Sequence, residues 1–272
     1  MWEYGHAKAA IDRLGESGYL KERDGAIWFG PALEEEDGLG EQVLSEDEDR
    51  VVIRSNGQPT YFASDLGYLL SRFEVRKFNR VIEVWGADHH GYVPRMKSAV
   101  AALGYEPDKL VVILHQMVNL KEGKMSKRAG RFVTLDELID RVGSDPVRYF
   151  YLLRSPDTTI EFDLELAVTQ GNENPVYYAQ YAHARLVNVE ATATERHPQL
   201  PEQADLSLLM QPWELDVARQ LAFWPEIAHD AAKLLEPHRV PYYVLDLATA
   251  MHRFYHAGTQ NRAHRGVVAS VN

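Results

Sequence analysis

The chain has 272 residues, of which 45% are hydrophobic and 25% charged, so it can bury a substantial core and should divide into about two domains. It contains no cysteine, which excludes disulfides and cysteine nucleophiles and leaves His, Asp and Glu as the side chains that could bind a metal. The formal net charge of -11 argues against a broad basic face of the kind that binds nucleic acid.

The acidic charge is concentrated between residues 34 and 49, where nine Asp and Glu side chains leave the rest of the chain at about -2. A local basic site elsewhere is therefore compatible with the composition. We interpret the acidic stretch as a solvated insertion, with a specific cation or partner site as the alternative. No run approaches the roughly 18 apolar residues of a membrane span, and the first residues lack the pattern of a secretion signal. These features favour a cytoplasmic location and no membrane partner.

A helix and three short strands are predicted first. Apolar residues at helical spacing indicate a helix over residues 6–18. Strands over 19–23 and 26–29 flank Asp24-Gly25, a dipeptide that suits the positive φ angles of a two-residue hairpin turn. Another short strand is expected over 51–54, followed by a second turn.

Two strands joined by a helix come next along the chain. Residues 81–85 and 110–114 are rich in β-branched side chains, and residues 93–103 between them have helical spacing. Such a βαβ unit implies a parallel sheet covered by helices. Because ligands of these sheets bind at the carboxyl ends of the strands, residues 86–90 and 116–130 are the candidate site segments.

Helical patterns dominate from Thr134 onward. Thr134 and Glu137 fit a capping box, while Asp145-Pro146 and Asn174-Pro175 each fit a cap followed by a proline in the first turn. The domain boundary is placed between 171 and 175, which gives domains over 1–172 and 173–272, with a loop at 198–201 between helices of the second. The predicted fold class is α/β, with a partial Rossmann-like parallel sheet followed by an all-α domain.

A basic loop over residues 121–131 carries side chains suited to phosphate. Its five Lys and Arg side chains stand against one Glu. Lys124 and Lys127 can address different phosphate oxygens, and Gly123 and Gly130 allow the loop to close over a ligand. A solvated basic loop without a ligand is the alternative. Because the loop follows a buried strand, where a nucleotide would lie, we favour the phosphate interpretation.

The motif Lys124-Met125-Ser126-Lys127 at this place resembles the second signature of class I aminoacyl-tRNA synthetases. Three other segments, in order along the chain, narrow the resemblance to bacterial arginyl-tRNA synthetases. They are GADHHGY at 86–92, QMVNL at 116–120 and NPVYYAQYAHAR at 174–185. The resemblance extends over nearly the whole chain and implies that the helical domain binds the tRNA anticodon.

The resemblance also implies ATP, with Mg²⁺, and catalytic roles for Lys124, Ser126 and Lys127. The two lysines would stabilise charge on the ATP phosphates while the arginine carboxylate attacks the α-phosphorus, and Ser126 would add a hydrogen bond. The residues implied in ATP binding are Gly86, Asp88, His90, Met117, Val118 and Met125.

Several of these ATP-binding positions have distinct implied contacts. Gly86 would allow close approach of the nucleotide, and Asp88 would accept hydrogen bonds from the ribose hydroxyls. Met117 and Val118 would hold adenine through main-chain contacts and packing. Two alternatives stay open: Asp88 could be a loop cap, and His89 and His90 could be metal ligands. The absence of Cys and of HExxH spacing leads us to expect no metal site.

Arginine recognition is implied at Tyr61, Asp65 and His89. A guanidinium presents a rigid fork of donors that a buried carboxylate meets best, which favours Asp65, with Tyr61 one turn away on the same helical face. Taken without the family, Asp65 would be an ordinary surface acid. The aromatic side chains of the second domain should be mostly core, with a few that could stack on tRNA bases.

The chain departs from the family in having no HIGH-type signature. We therefore expect a partial chain that is inactive alone, in which arginine, tRNA(Arg) and a separate N-terminal half are partners and DNA is not. The predicted function is ATP-dependent activation of arginine and its transfer to tRNA(Arg). Two other interpretations are a non-catalytic tRNA-binding module derived from a synthetase and a synthetase-like enzyme for another substrate.

Overall fold

The computed structural model describes residues 5–30, 50–121, 133–196 and 205–260, which fall into two compact units that divide between Gln116 and Met117. The predicted acidic insertion, the KMSK motif and the 198–201 loop lie outside the described residues. Within the described ranges, no helix combines the length and apolar character needed to cross a bilayer. The domain boundary predicted after residue 172 stays a prediction.

The first unit begins with helix α1 (His6–Glu16) and an antiparallel hairpin of β1 (Leu20–Arg23) and β2 (Ala26–Phe29). The hairpin turns at Asp24 and Gly25, whose φ angles of 53° and 72° are the positive values that a two-residue turn requires. Strand β3 (Arg50–Ile53) pairs antiparallel with β2. The predicted helix, hairpin and third strand are confirmed.

Helix α2 (Tyr61–Leu70) starts at a junction fixed to β3. The Thr60 amide donates to the Val52 carbonyl at 2.9 Å, and the Thr60 hydroxyl donates to the Val51 carbonyl at 2.8 Å. These bonds tie the residue before the helix to the neighbouring strand. The first turn of α2 therefore has a defined position beside β3.

The βαβ unit predicted from the sequence is present. Strand β4 (Val81–Gly86) leads through a tight turn (Ala87–Tyr92) into helix α3 (Val93–Ala102) and strand β5 (Leu110–His115). The two strands pair in parallel, in a register that runs from Val81 opposite Leu110 to Gly86 opposite His115.

The core of the first unit forms where α1, α2, α3 and the strands meet, around Leu14, Phe29, Leu66 and Leu103. Helices α1 and α2 approach closely at Gly67. A Cβ atom built on Gly67 would lie 2.7 Å from both the Cα and the main-chain nitrogen of Ala7. This glycine is thus required by the packing of main chain against main chain.

The second unit opens with a parallel pair that the sequence did not predict, β6 (Val118–Leu120) with β7 (Ile160–Phe162). Helices α4 (Leu135–Val142), α5 (Ser144–Leu152) and α6 (Leu164–Val168) accompany it. Phe162 is fully buried between the rings of Phe150 and Tyr151, so this strand pair and α5 share a small core.

Two helix starts in this unit test the capping predictions. The capping box of Thr134 and Glu137 is confirmed, with each residue bonded to the other's main-chain amide. The cap predicted at Asp145 is wrong, because α5 begins at Ser144, two residues before the predicted first helical residue Pro146, and its cap position is Gly143 with a φ angle of 87°. The helix can start at this earlier residue because Pro146 still lies in its first turn, where main-chain amides have no partner within the helix and the missing amide of proline costs no hydrogen bond.

Three long helices form the rest of the second unit: α7 (Pro175–Arg196), α8 (Pro212–Leu234) and α9 (Arg239–Gln260), with α9 packed on both others. Asn174 fixes the start of α7, as predicted. Its buried amide donates to the Ala167 and Thr169 carbonyls, and its oxygen accepts from the Val176 amide at 3.0 Å.

The expectation that most aromatic residues of these helices are core is wrong. None of the aromatic side chains that the prediction concerned is fully buried. The exposed ones are Tyr181, Phe223, Trp224 and Tyr242, and the partly buried ones are Tyr177, Tyr178, Trp213 and Phe254.

A buried histidine joins α9 to α7. His252 Nδ1 accepts from the Arg185 guanidinium at 3.1 Å, so its other nitrogen, Nε2, carries the proton and donates to the Tyr178 carbonyl at 3.2 Å. Arg185 also lies over the rings of Tyr181 and Tyr255. Burial, together with the Arg185 charge, holds the pKa of His252 below its usual value.

Replacing Gly67 with alanine should destabilise the first unit by about 1–3 kcal/mol, because two backbones would have to move apart. Urea unfolding measures the change. Gly15→Ala in α1 is the matched control, since its Cβ would meet only Leu20 Cδ1 at 3.8 Å, and alanine favours a helix by up to about 1 kcal/mol. Equal effects of the two substitutions would contradict the close contact.

His252 should make the stability of the second unit depend on pH. Because its folded-state pKa lies below the ordinary 6.5, the unfolded chain binds the proton more readily, and stability falls as the pH drops through about 6.5. Thermal unfolding from pH 7.5 to 5 should show a smaller loss in His252→Gln, which cannot be protonated. Substitution of the exposed His183 on α7 should leave the slope unchanged.

Candidate functional site

A cleft of about 760 Å³ opens in the first unit beside the carboxyl end of β4. Three segments form it: the strands around β3, the first turns of α2 and the turn that follows β4. Its lining residues are Trp28, Arg50, Val51, Arg54, Thr60, Tyr61, Phe62, Asp65, Asp88, His89, His90, Gly91 and Tyr92. The cleft lies at the end of the parallel strands, where the sequence predicted ligand binding.

Five residues predicted for the arginine and ATP sites come together in this cleft, although they are far apart in the sequence. Tyr61 and Asp65 come from α2, and Asp88, His89 and His90 come from the turn after β4. The structure thus joins the two segments that the sequence singled out separately. The side chains supply carboxylates, imidazoles and an aromatic ring on one concave surface.

Asp65 is the most constrained of these side chains. It is half-buried on α2, and its Oδ2 accepts a hydrogen bond from the Tyr92 hydroxyl at 2.7 Å. Burial raises the pKa of Asp65 above its usual value, while the Tyr92 bond and the nearby Arg72 charge work in the opposite direction. A desolvated carboxylate at the wall of a cleft is a strong site for a cation that brings its own donors.

Tyr61 differs from Asp65 in being open to solvent. It is the first residue of α2, and 88% of its surface is exposed. Residues four apart on a helix lie on the same face, so the ring stands one turn from Asp65. An exposed aromatic ring there can cover a bound ligand without any rearrangement of the core.

The turn after β4 holds Asp88 close to Gly86. A Cβ atom at Gly86 would come within 2.5 Å of Asp88 Oδ1, so a side chain at this position would displace the carboxylate. His89 Nε2 lies 3.8 Å from Asp88 Oδ2, with both side chains exposed. Asp88 is therefore an acceptor on the surface of the cleft. Within the described ranges, no three His, Asp or Glu side chains converge as metal ligands would.

Met117 and Val118, predicted to hold adenine, belong to the second unit. The Met117 carbonyl accepts from the Ile160 amide at 3.1 Å, and 67% of the residue's surface is exposed. Val118 pairs with Ile160 in the parallel ladder. The alternation of such a ladder directs the main-chain groups of Val118 to the opposite edge of the strand pair.

The predicted catalytic residues Lys124, Ser126 and Lys127, and Met125 with them, lie outside the described residues. The chain before them is fixed at Lys121. Its amide donates to the Phe162 carbonyl at 3.0 Å, and its Nζ lies 2.6 Å from Asp163 Oδ2.

Several cleft residues were not predicted from the sequence: Trp28, Arg50, Arg54, Thr60 and Tyr92. Thr60 had a detectable signal, since a threonine directly before an apolar helical pattern indicates a helix start. Arg50 is the first residue of β3 and Arg54 follows its last residue, and both line the cleft because β3 lies beside α2. Tyr92 lies two residues after His90, but its hydrogen-bond partner Asp65 is 27 residues away in the sequence.

Comparison with known proteins gives two family matches. The family model for class I tRNA synthetases (R), catalytic domain, matches residues 6–148, and the DALR anticodon binding domain matches residues 179–266. The first match alone covers more than half of the chain. Together with the observed strands and helices, these matches confirm the predicted fold class.

Curated relatives agree with these families. The chain is 46% identical over 261 residues to the arginine--tRNA ligase of Moorella thermoacetica, covering 94% of this chain and 45% of the relative. It is 45% identical over 263 residues to that of Caldanaerobacter subterraneus subsp. tengcongensis, with the same coverage. The chain therefore spans about half the length of the curated relatives it matches.

Solved structures also resemble this fold. An arginyl-tRNA synthetase structure from Campylobacter jejuni aligns with a TM-score of 0.79 and 31% identity, covering 98% of this chain and 57% of that one. Thermus thermophilus arginyl-tRNA synthetase aligns with a TM-score of 0.68 at 20% identity, which supports the fold alone.

Asp65→Asn should stabilise the first unit at pH 7, since it removes a charge that burial disfavours while keeping an oxygen that can accept from Tyr92. Because the folded-state pKa of Asp65 is raised, the gain should shrink as the pH falls below that pKa and the native carboxyl becomes neutral. Thermal unfolding at pH 7 and pH 4 measures both effects. A lower melting temperature for the variant at pH 7 would contradict this account.

Proposed function

This chain belongs to the class I arginyl-tRNA synthetase family, and we propose that it carries the part of an arginine--tRNA ligase that recognises the arginine side chain, ATP and tRNA(Arg). The reaction is the ATP-dependent activation of arginine to arginyl-adenylate, followed by transfer of arginine to the tRNA. The observation that carries the proposal is the half-buried Asp65 carboxylate, one helical turn from the exposed Tyr61, in a cleft at the end of β4.

Arginine recognition rests on charge and shape. A guanidinium presents a planar set of donors, and the Asp65 carboxylate offers two acceptor oxygens in a partly desolvated wall. Tyr61 would cover the guanidinium plane with its ring, an arrangement favoured by cation–π attraction. His89, in the same cleft, would contact the rest of the amino acid.

The residues present fit an ATP site in two places. Gly86 leaves room for the Asp88 carboxylate, which lies where a side chain at this position would stand, and Asp88 offers that exposed carboxylate to ribose hydroxyls, with His90 on the same turn. In the second unit, the Met117 carbonyl is bonded to Ile160, so main-chain contacts to adenine would fall to Val118. The Met117 side chain is exposed and could pack on the ring.

The chemical step would be in-line displacement at phosphorus. An arginine carboxylate oxygen bonds to the α-phosphorus while the bond to the bridging oxygen breaks and pyrophosphate leaves. Lys124 and Lys127 would stabilise the charge on the transferring and leaving phosphate oxygens, with Ser126 and Met125 beside them in the loop. Mg²⁺, when bound with ATP, would neutralise part of the same charge.

The proposed tRNA contacts lie in the helical part of the second unit, over the residues that match the anticodon binding domain. Exposed rings at Tyr181, Phe223, Trp224 and Tyr242 could stack on unpaired bases. Tyr181 is the strongest candidate of these for a tRNA contact, since the Arg185 guanidinium lies 4.1 Å from its ring centre and would bring positive charge to the phosphates. A ligase of this kind would work in the cytoplasm, with RNA rather than DNA as its nucleic acid.

A separate chain with the N-terminal half of the fold is a further proposed partner. Ile82 and Val84 on β4 are 46% and 64% exposed, although parallel sheets are ordinarily covered on both faces. A segment that packs against these side chains would cover the exposed face of the sheet. The second candidate function is a non-catalytic tRNA-binding module, which the match of residues 179–266 to the anticodon binding domain supports.

Calorimetry with L-arginine on the purified chain tests the recognition step. Asp65→Asn should weaken binding at least about 100-fold, since loss of a charge-assisted hydrogen-bonded pair costs about 3 kcal/mol or more. Tyr61→Ala should weaken it about 5- to 30-fold. The matched control is Asp108→Asn, which neutralises an exposed carboxylate before β5, at the opposite end of the strands, and should bind normally.

Aminoacylation of tRNA(Arg), measured with a supplied N-terminal half, separates the two candidate functions. The ligase predicts arginylation that is lost in Lys127→Ala and in Asp65→Asn. tRNA binding without arginine binding, and without rescued turnover, would identify a binding module instead.

A further inference from the structure

The Tyr92 hydroxyl donates to Asp65 Oδ2 at 2.7 Å, which joins the end of the turn after β4 to α2. The two residues are 27 positions apart, so the bond depends on the tertiary fold. A carboxylate on a helix can rotate about its side-chain torsions. A bond to one of its oxygens from a second element restricts that rotation.

The Tyr92 ring is itself held on several sides. It packs edge to face on Phe62, with ring centres 6.0 Å apart, and lies 5.6 Å from the Trp85 ring. The Arg95 guanidinium lies 5.4 Å from its ring centre. A ring packed in this way keeps its hydroxyl in one position, so the donor of the hydrogen bond to Asp65 has a fixed location.

The hydroxyl is also chemically suited to remain a donor. Burial and the bond to Asp65 both raise the pKa of Tyr92, so its proton stays on the ring oxygen throughout the physiological range. The same bond opposes the effect of burial on Asp65 and favours its charged form. Tyr92 therefore supports both the orientation and the charge of the carboxylate.

We propose that Tyr92 is a positioning residue for side-chain selection: by holding Asp65 Oδ2 it fixes the plane of the carboxylate, so that the cleft prefers a planar guanidinium to an ammonium. This inference rests on the proposed function, since it assigns Tyr92 a role in arginine recognition by Asp65. A forked donor needs both carboxylate oxygens in one plane, whereas an ammonium makes a point contact that tolerates rotation. Tyr92 itself is not expected to touch the ligand.

The charged and titratable groups around this pair come from every element that borders it. Arg72 acts on Asp65 from the segment after α2, and Arg50 and Arg95 act on Tyr92 from β3 and α3. The remaining such groups on the cleft wall are Arg54, Tyr61, Asp88, His89 and His90.

Tyr92→Phe in the full chain tests the inference, because it removes the hydroxyl and keeps the ring packing. Calorimetry with L-arginine should show binding weakened about 10-fold, and the preference for L-arginine over L-lysine should fall by a similar factor. Arginine binding is lost as the pH falls through the Asp65 pKa. Its midpoint should move to higher pH in the variant, which a purely structural role for Tyr92 would not produce.

Tyr68→Phe is the matched control, since it removes the hydroxyl of a tyrosine on α2 that lies outside the cleft and should change none of these quantities. Thermal unfolding of both variants checks that the fold is kept. If the unsubstituted chain binds arginine through Asp65 but Tyr92→Phe keeps the same affinity, selectivity and pH midpoint, the inference is wrong and the proposed function stands. If the unsubstituted chain binds no arginine, the result contradicts both the inference about Tyr92 and the proposed function.

Discussion

The position of α2 is the constraint on which the site depends. Thr60 bonds its first turn to the main chain of β3, and Gly67 lets its later turns lie against the main chain of α1. Both contacts involve backbone atoms, so they restrict the position of the helix directly. Tyr61 and Asp65 project from the segment between these two contacts. These two residues are therefore held by packed helices and strands, whereas Asp88, His89 and His90 come from the turn after β4.

The proposed binding role of the cleft conflicts with the stability of the free protein. Burial disfavours the charge on Asp65, and the fold offsets that cost only in part through Tyr92 and Arg72. A neutral side chain at this position would make the free protein more stable, but it would offer a guanidinium no negative charge. The aromatic neighbours Phe62 and Trp85 contribute to this offset, because they pack against Tyr92 and hold its ring in place.

Local signals made most of the fold predictable. The hairpin at Asp24 and Gly25, the capping box at Thr134 and the i, i+4 pair of Tyr61 and Asp65 each depend on neighbours in sequence, and each could be read from it. The pair β6–β7 could not, because three-residue strands carry little pattern and their partner choice is non-local. The Tyr92–Asp65 bond could not be predicted either, because its two residues are also distant in the sequence. Resemblance to a family supplied residue roles, while only the structure brought the two cleft segments together.

The residues before and after the segment that carries the two lysines of the predicted phosphate site are both anchored. Before them, the Lys121 amide and side chain bond to Phe162 and Asp163, and after them the Thr134 capping box starts α4. Both contacts lie outside the segment itself, so substitutions within it should leave the pairing of β6 with β7 and the start of α4 in place.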